Sequence, residues 1–366
     1  MPHVILRAPA EPPAAALHSP GAIYIPPVPI AAIRTEQLRK VYTMSVAKTA
    51  RGAPGIPIEM SRGAPERPGG EVVALDSLDL QIESGEFFGL LGPNGAGKTT
   101  TIGICTTRVI PTSGTAVIEG ADVRMQPTLV RQRIGVVPQR PNPDSSLNVR
   151  ENLVFHAAYF GIARAVATAR ATALLDKLGI LEKAEAKVNQ LSGGQQQRLM
   201  IARALIHQPG VIFLDEPTVG LDPQARIDLW TILRELHAQG RTIVMTTHYM
   251  EEADQLCERV AIVDQGRLLA IDTPAALKAR APGGTMIDLV LDSGDESVAA
   301  AVRAIPGVSS ATLRGDTLRA YSDRGGEVIA ALLAAAAAHE REVRDIHLAP
   351  PSLETLFISL TGRQLT

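Results

Sequence analysis

Gly92 to Thr99 reads GPNGAGKT and lies between the apolar run Phe87 to Leu91 and a helical pattern. A strand, a glycine-rich loop and a helix in that order make a phosphate cradle. The glycines let successive backbone N–H groups point at anionic oxygens, and the helix start adds its positive end. Lys98 then reaches the β and γ phosphates of a nucleotide, and the Thr99 hydroxyl is placed to ligate Mg²⁺. Such a loop belongs at the carboxyl edge of an open α/β sheet.

Other short apolar runs supply that sheet. Ile134 to Val137, Val211 to Leu214, Thr242 to Thr246 and Val260 to Val263 alternate with helical patterns, and several are too uniformly apolar to face water on one side. That is the signature of a buried, largely parallel sheet covered by helices. Polar residues follow these runs directly. Asp215 and Glu216 end one of them, and adjacent carboxylates on a strand point in different directions, which suits one to Mg²⁺ and the other to a general base for water. His248 follows Thr242 to Thr247 and is placed to meet a γ phosphate and that base. Gln139 closes the Ile134 run, where its amide reaches both metal and water without altering the charge. Alone, a strand-end Asp-Glu pair is a solvated terminus and a lone histidine a structural residue; the neighbouring loop changes their meaning.

Leu191 to Gln195 reads LSGGQ ahead of another helical pattern. Ser192, Gly193 and Gly194 at a helix start form a second anion site, although a plain N-cap has the same spelling.

Composition narrows the classes. A net charge of -2 over 366 residues leaves no overall electrostatic footprint for nucleic acid, so no nucleic-acid partner is expected. Cys105 and Cys257 are the only cysteines, with no CxxC, which argues against a disulfide framework or zinc site and for a reducing compartment. The longest strongly apolar stretch, Val328 to Ala338, is shorter than the roughly 20 residues that span a bilayer and reads as an amphipathic helix.

The chain divides into three parts. Residues 1–33 are broken by prolines and read as a flexible leader. Residues 34–281 form the sheet domain, starting with a strand over Ile33 to Val41 and interrupted at 43–70 by a Gly-, Pro- and Arg-rich insertion without apolar periodicity. A helical subdomain over 143–200 is inserted in the sheet domain, and Asn148 with Glu151 predicts a capping box where its helices start. Residues 282–366 run strand, helix, strand, strand, helix, strand, the order of a ferredoxin-like unit, and end on a helix over Leu353 to Thr361.

With these motifs on one chain, the sequence resembles the ABC ATPases. GPNGAGKT matches their Walker A motif, Gln139 the Q-loop, LSGGQQQR at Leu191 to Arg198 the signature, IFLDEP at Ile212 to Pro217 Walker B, Gly220-Leu221-Asp222 the D-loop and His248 the switch histidine, all in family order over roughly residues 34 to 275. Tyr42, in LRKVY, matches the aromatic that stacks on adenine. The chain departs from the family's pattern by inserting Thr43 to Gly70 straight after it. MEEADQLCERVAIVDQGRLLA after His248 and the ending PSLETLFISLTGR look like the drug-resistance branch of exporters.

The resemblance implies an α/β P-loop NTPase: a RecA-like parallel sheet with an antiparallel β-subdomain and an inserted helical subdomain, plus a small C-terminal α+β domain. It implies an ATPase using ATP and Mg²⁺, with Glu216, His248, Gln139 and Lys98 catalytic and Thr99, Gln139 and Asp215 holding the metal. Nucleotide contacts fall to Tyr42, to the loop residues Gly92, Pro93, Asn94, Gly95, Ala96, Gly97, Lys98, Thr99 and Thr100, and to Gln139. In the family two subunits pair head to tail, so Ser192, Gly193, Gly194, Gln195 and Asp222 would meet the ATP of a homodimer or of a related ATPase in a heterodimer. The implied subunit lies peripherally at the cytoplasmic face of the membrane through a separate permease and exports drugs or other small amphiphiles. Polysaccharide, lipid or ion is an alternative cargo. A non-transport ABC ATPase of DNA repair or translation is a different alternative, but would carry a long coiled coil or a second ATPase domain, and neither occurs here. A protein that merely holds ATP would be expected to lack Glu216 or His248.

Overall fold

FFGLL at Phe87–Leu91 and VIFLD at Val211–Asp215 are buried along their whole length, as strands covered on both faces must be. A computed structural model of the chain describes residues 31–43, 66–67, 70–281 and 284–361. Its central sheet has six strands in the order Arg267–Asp272, Arg259–Asp264, Phe87–Leu91, Thr242–Thr247, Val211–Asp215, Ile134–Val137. All neighbours are parallel except the edge strand Arg267–Asp272.

Alternation along these strands sends side chains into two cores. Phe87, Leu91, Ile212, Leu214, Ile243 and Met245 join the core that also contains the helical residues Leu153, Leu175, Leu199 and Leu233. Phe88, Leu90, Val211, Phe213 and Val244 face the other way, onto Ile33, Leu38, Leu78, Ile82 and Ile118. Those last residues belong to a five-stranded antiparallel sheet ordered Glu66–Arg67, Glu71–Glu83, Ala31–Thr43, Ser113–Ile118, Ala121–Asp122.

The first strand starts at Ala31, so residues 31–33 belong to the sheet rather than to the leader. Ile33 pairs with both Ile82 and Ile118 and is 1% exposed; an apolar side chain with partners on both sides extends the strand back toward the last proline. Residues 1–30 and most of the 43–70 insertion lie outside the described residues. Within that insertion, Glu66 and Arg67 pair with Val72 and Glu71.

The helical part contains Val149–Ala158, Arg164–Lys177 and Gly193–Leu205. The first opens on the capping box: the Asn148 side chain accepts from Glu151 N at 2.7 Å, and Glu151 Oε2 accepts from Asn148 N at 2.8 Å. The C-terminal unit has four antiparallel strands ordered Val308–Arg314, Thr317–Ser322, Thr285–Leu291, Val343–Ala349. Helices Glu296–Arg303 and Ile329–Ala338 bring Val298, Val302, Leu332 and Ala336 against Ile287 and Leu289. The last helix, Leu353–Thr361, does not join this core. Its Leu353, Leu356 and Phe357 are buried in the helical-side core of the first domain with Leu256 and Leu277.

Candidate active site

The parallel register brings four strand ends level. Leu91 pairs with Thr247, Asp215 with Thr246 and Val137 with Leu214. Gly92, Glu216, His248 and Gln139 therefore leave the sheet at one edge, the carboxyl edge at which open α/β sheets place their chemistry.

Gly92 to Gly97 form the loop, and Lys98, Thr99 and Thr100 open the helix Lys98–Cys105. Gly97 has φ +105, and a Cβ there would stand 2.6 Å from the Ala74 carbonyl oxygen and 2.7 Å from Leu75 Cδ2. Both the backbone angle and the strand pressing on the loop require glycine. Lys98 is folded into the loop it follows: Nζ donates to the carbonyls of Gly92 at 2.7 Å and Pro93 at 3.1 Å and lies 3.1 Å from Glu216 Oε1. Burial lowers the Lys98 pKa, and the neighbouring Glu216 carboxylate only partly offsets this.

Glu216 is the point of convergence. Its other oxygen, Oε2, accepts from Gln139 Nε2 at 3.0 Å and lies 3.4 Å from His248 Nδ1. That last approach is an ion-pair distance without hydrogen-bond alignment, since His248 Nδ1 makes no hydrogen bond among the described residues. Burial opposes a charge on Glu216, but His248 and Lys98 together outweigh it and hold the carboxyl down at about 2. The residue sits at φ +46, a left-handed angle that costs a non-glycine residue about 1–3 kcal/mol. Its N–H anchors that turn by donating to Thr246 Oγ1 at 2.9 Å.

Asp215 points elsewhere, as adjacent strand residues do. Its Oδ1 accepts from Thr246 Oγ1 at 2.7 Å and from Thr99 Oγ1 at 3.3 Å. Burial raises its pKa, and the nearby Glu216 charge pushes the same way. Thr246 thus fixes the Asp215 carboxylate and the Glu216 backbone, and it belongs to none of the sequence motifs. The available signal was threonine in a strand buried along its whole length, TIVMTT at Thr242–Thr247, because a fully buried hydroxyl needs a partner; Thr246 is 0% exposed.

The remaining predicted residues stand apart from Glu216. Ser192 caps the helix Gly193–Leu205 in a capping box with Gln195 and is exposed together with Gly193, while Gly194 is half-buried. Asp222 caps the helix Pro223–Ala238 by accepting from Ala225 N at 2.9 Å. Tyr42 is half-buried near the end of its strand, with Lys40 Nζ 4.9 Å from its ring centre. It pairs with Val72, two residues before the Ala74 carbonyl that presses on Gly97.

Fold and site together define a P-loop nucleotide hydrolase. Comparison with known proteins narrows this. The ABC transporter family model matches residues 75–219. The chain is 41% identical over 296 residues to the Nod factor export ATP-binding protein I of Paraburkholderia xenovorans, covering 81% of this chain and 94% of that protein. It is 36% identical over 301 residues to the linearmycin resistance ATP-binding protein LnrL of Bacillus subtilis, covering 81% and 96%. Among solved structures, the dimeric post-hydrolysis state of the ATP-binding cassette MJ0796 bound to ADP and Pi superposes with a TM-score of 0.55 at 28% identity, covering 66% of this chain and 98% of that one. The chain belongs to the ABC transporter family: it is an ATPase, the ATP-binding subunit of an export-type transporter.

Proposed function

We propose that the chain hydrolyses ATP at Glu216 while paired head to tail with a second such subunit, and so powers export by a separate membrane permease. The observation that carries this reading is the convergence of Lys98, Gln139 and His248 on the Glu216 carboxylate within 3.0 to 3.4 Å. Glu216 accepts the proton of the attacking water, Gln139 and His248 orient it, and Lys98 binds the β and γ phosphates within the Gly92 to Thr100 loop. Lys98 must leave Glu216 to do this. When it turns to phosphate, Glu216 loses part of the pull that keeps it a weak base, so binding of the substrate itself raises its capacity to take a proton.

The Thr99 hydroxyl and the Asp215 carboxylate, 3.3 Å apart, together with the Gln139 amide, form the hard-oxygen donor set that suits Mg²⁺ beside phosphates. Bound there, Mg²⁺ would neutralise charge on the phosphate oxygens. The register of Tyr42 beside the strand that presses on Gly97 supports its role as the platform for adenine. The open helix start at Ser192, Gly193, Gly194 and Gln195 and the cap at Asp222 are assigned to the ATP of the partner subunit, which gives the second anion site a use.

No helix among the described residues is long and apolar enough to cross a membrane. The translocation path is assigned to the permease, with this subunit bound at its cytoplasmic face. Drugs or other small amphiphiles are the proposed cargo, in keeping with relatives named for Nod factor export and linearmycin resistance.

The deciding experiment is Glu216→Gln in the purified subunit. ATP affinity should stay near wild type, turnover should fall to about 1% or less, and the protein should elute as an ATP-dependent dimer. Wild-type turnover in this variant overturns the assignment.

A further inference from the structure

Glu252 is a carboxylate with 0% exposure on the helix Met250–Leu256. Its Oε2 accepts from Thr247 Oγ1 at 2.7 Å, and that same hydroxyl accepts from Tyr249 N at 2.9 Å. The residues on both sides of His248 are thereby tied to one buried acid. The other oxygen, Oε1, makes no hydrogen bond among the described residues; Arg226 Nε, also buried and also without a hydrogen bond, lies 3.9 Å from it.

Arg226 reaches His248 by a second route. Its guanidinium lies over the Tyr249 ring, 4.7 Å from the centre, and that ring lies 4.1 Å from the ring of His248 at a tilt of 41°. The backbone N–H of Arg226 donates to Asp222 O at 3.0 Å. Arg226 therefore occupies the first turn of the helix that Asp222 caps. Three buried polar atoms in this chain of contacts, Arg226 Nε, Glu252 Oε1 and His248 Nδ1, are left without hydrogen bonds. Leaving such groups unmade is costly, and gaps of 3.9 Å and 3.4 Å close to charge-assisted hydrogen bonds with shifts of about 1 Å or less.

We propose that Arg226 and Glu252 are positioning residues for His248. Glu252 fixes the Thr247 to Tyr249 turn from beneath, and Arg226 holds the Tyr249 ring that backs the imidazole. The turn beginning at Asp222 is thus linked mechanically to the histidine that faces Glu216, and a displacement of that turn moves the imidazole. This rests on the reading in which His248 serves hydrolysis at Glu216.

The test is a double-mutant cycle on ATPase activity of the intact subunit, with kcat and KM for ATP measured separately. Arg226→Ala should lower kcat about tenfold and change KM by less than about twofold. In Arg226→Ala combined with His248→Ala, the loss should be no greater than for His248→Ala alone. Tyr249→Phe, which keeps the ring, should remain within about twofold of wild type, while Tyr249→Ala should match Arg226→Ala. If Arg226→Ala melts too early for kinetics, Glu252→Gln and Arg226→Gln, which keep the shape of the site, enter the same cycle. Additive losses with His248→Ala, or a wild-type kcat in the Arg226 variants, overturn the proposal alone. Wild-type turnover in His248→Ala overturns the reading beneath it as well.

Discussion

Lys98 Nζ and Glu216 Oε1 are 3.1 Å apart in a pair whose side chains are 4% and 5% exposed. The phosphate-loop lysine and the carboxylate assigned to water activation thus hold each other. Each buried charge is compensated by the other, and removing either leaves an unpaired one.

Acid should therefore weaken the fold in a defined window. The Glu216 carboxyl titrates at about 2 in the folded chain against an ordinary 4.5. An unfolded chain takes up this proton first, so the stabilisation is fully present above about 4.5 and is lost as pH falls through about 2. Denaturant midpoints measured from pH 5 down to 2 should fall more steeply for wild type than for Glu216→Gln. Parallel curves would remove Glu216 as the source.

Thr246→Val keeps the shape of the side chain and deletes the hydroxyl. Asp215 loses the donor at 2.7 Å, and Glu216 N loses the hydroxyl acceptor at 2.9 Å and keeps only the Thr246 carbonyl at 3.2 Å. A loss of about 1–3 kcal/mol in unfolding free energy is expected. The kcat should fall as well, because the Asp215 carboxylate and the Glu216 turn each lose a fixed point; calorimetry and steady-state kinetics on one preparation check the pair.

Gly97→Ala combines a forbidden angle with a Cβ 2.6 Å from a backbone oxygen, whereas Gly120→Ala has a comparable φ of +80 and open space. Gly120→Ala should cost about 1 kcal/mol. Gly97→Ala should cost clearly more and abolish ATP binding, as read by melting temperature and nucleotide titration. Equal effects at the two positions would show that the angle, and not the close approach, sets the requirement.

Phe357→Ala should destabilise by about 3–5 kcal/mol although it lies near the end of the chain. Phe357 is 0% exposed within the core of the ATPase domain. The loss should appear in the melting of that domain, with the ATP-protected signal shifting; a shift confined to the C-terminal unit would contradict the packing.

The sequence by itself determined the elements and the locations of the motifs. An apolar run ending in glycines at Gly92, a capping box at Asn148 and Glu151, and the succession of strands and helices along the chain after Met286 each rest on short stretches, so local periodicity and turn chemistry reveal them. The start of the first strand at Ala31 is not legible in the same way, because Ala31 pairs with Glu83, and Ile33 with Ile82 and Ile118, far along the chain. Only the tertiary structure decided which partners those elements meet. It set Lys98 against Glu216, tied Thr246 to the Asp215 carboxylate and the Glu216 N–H, brought Arg226 over Tyr249, and sent the last helix into the core of the ATPase domain rather than its own neighbour's. The physical reason is that periodicity tells which face of an element is apolar or polar, while a contact between residues a hundred positions apart depends on strand order and register, which no short stretch of sequence contains.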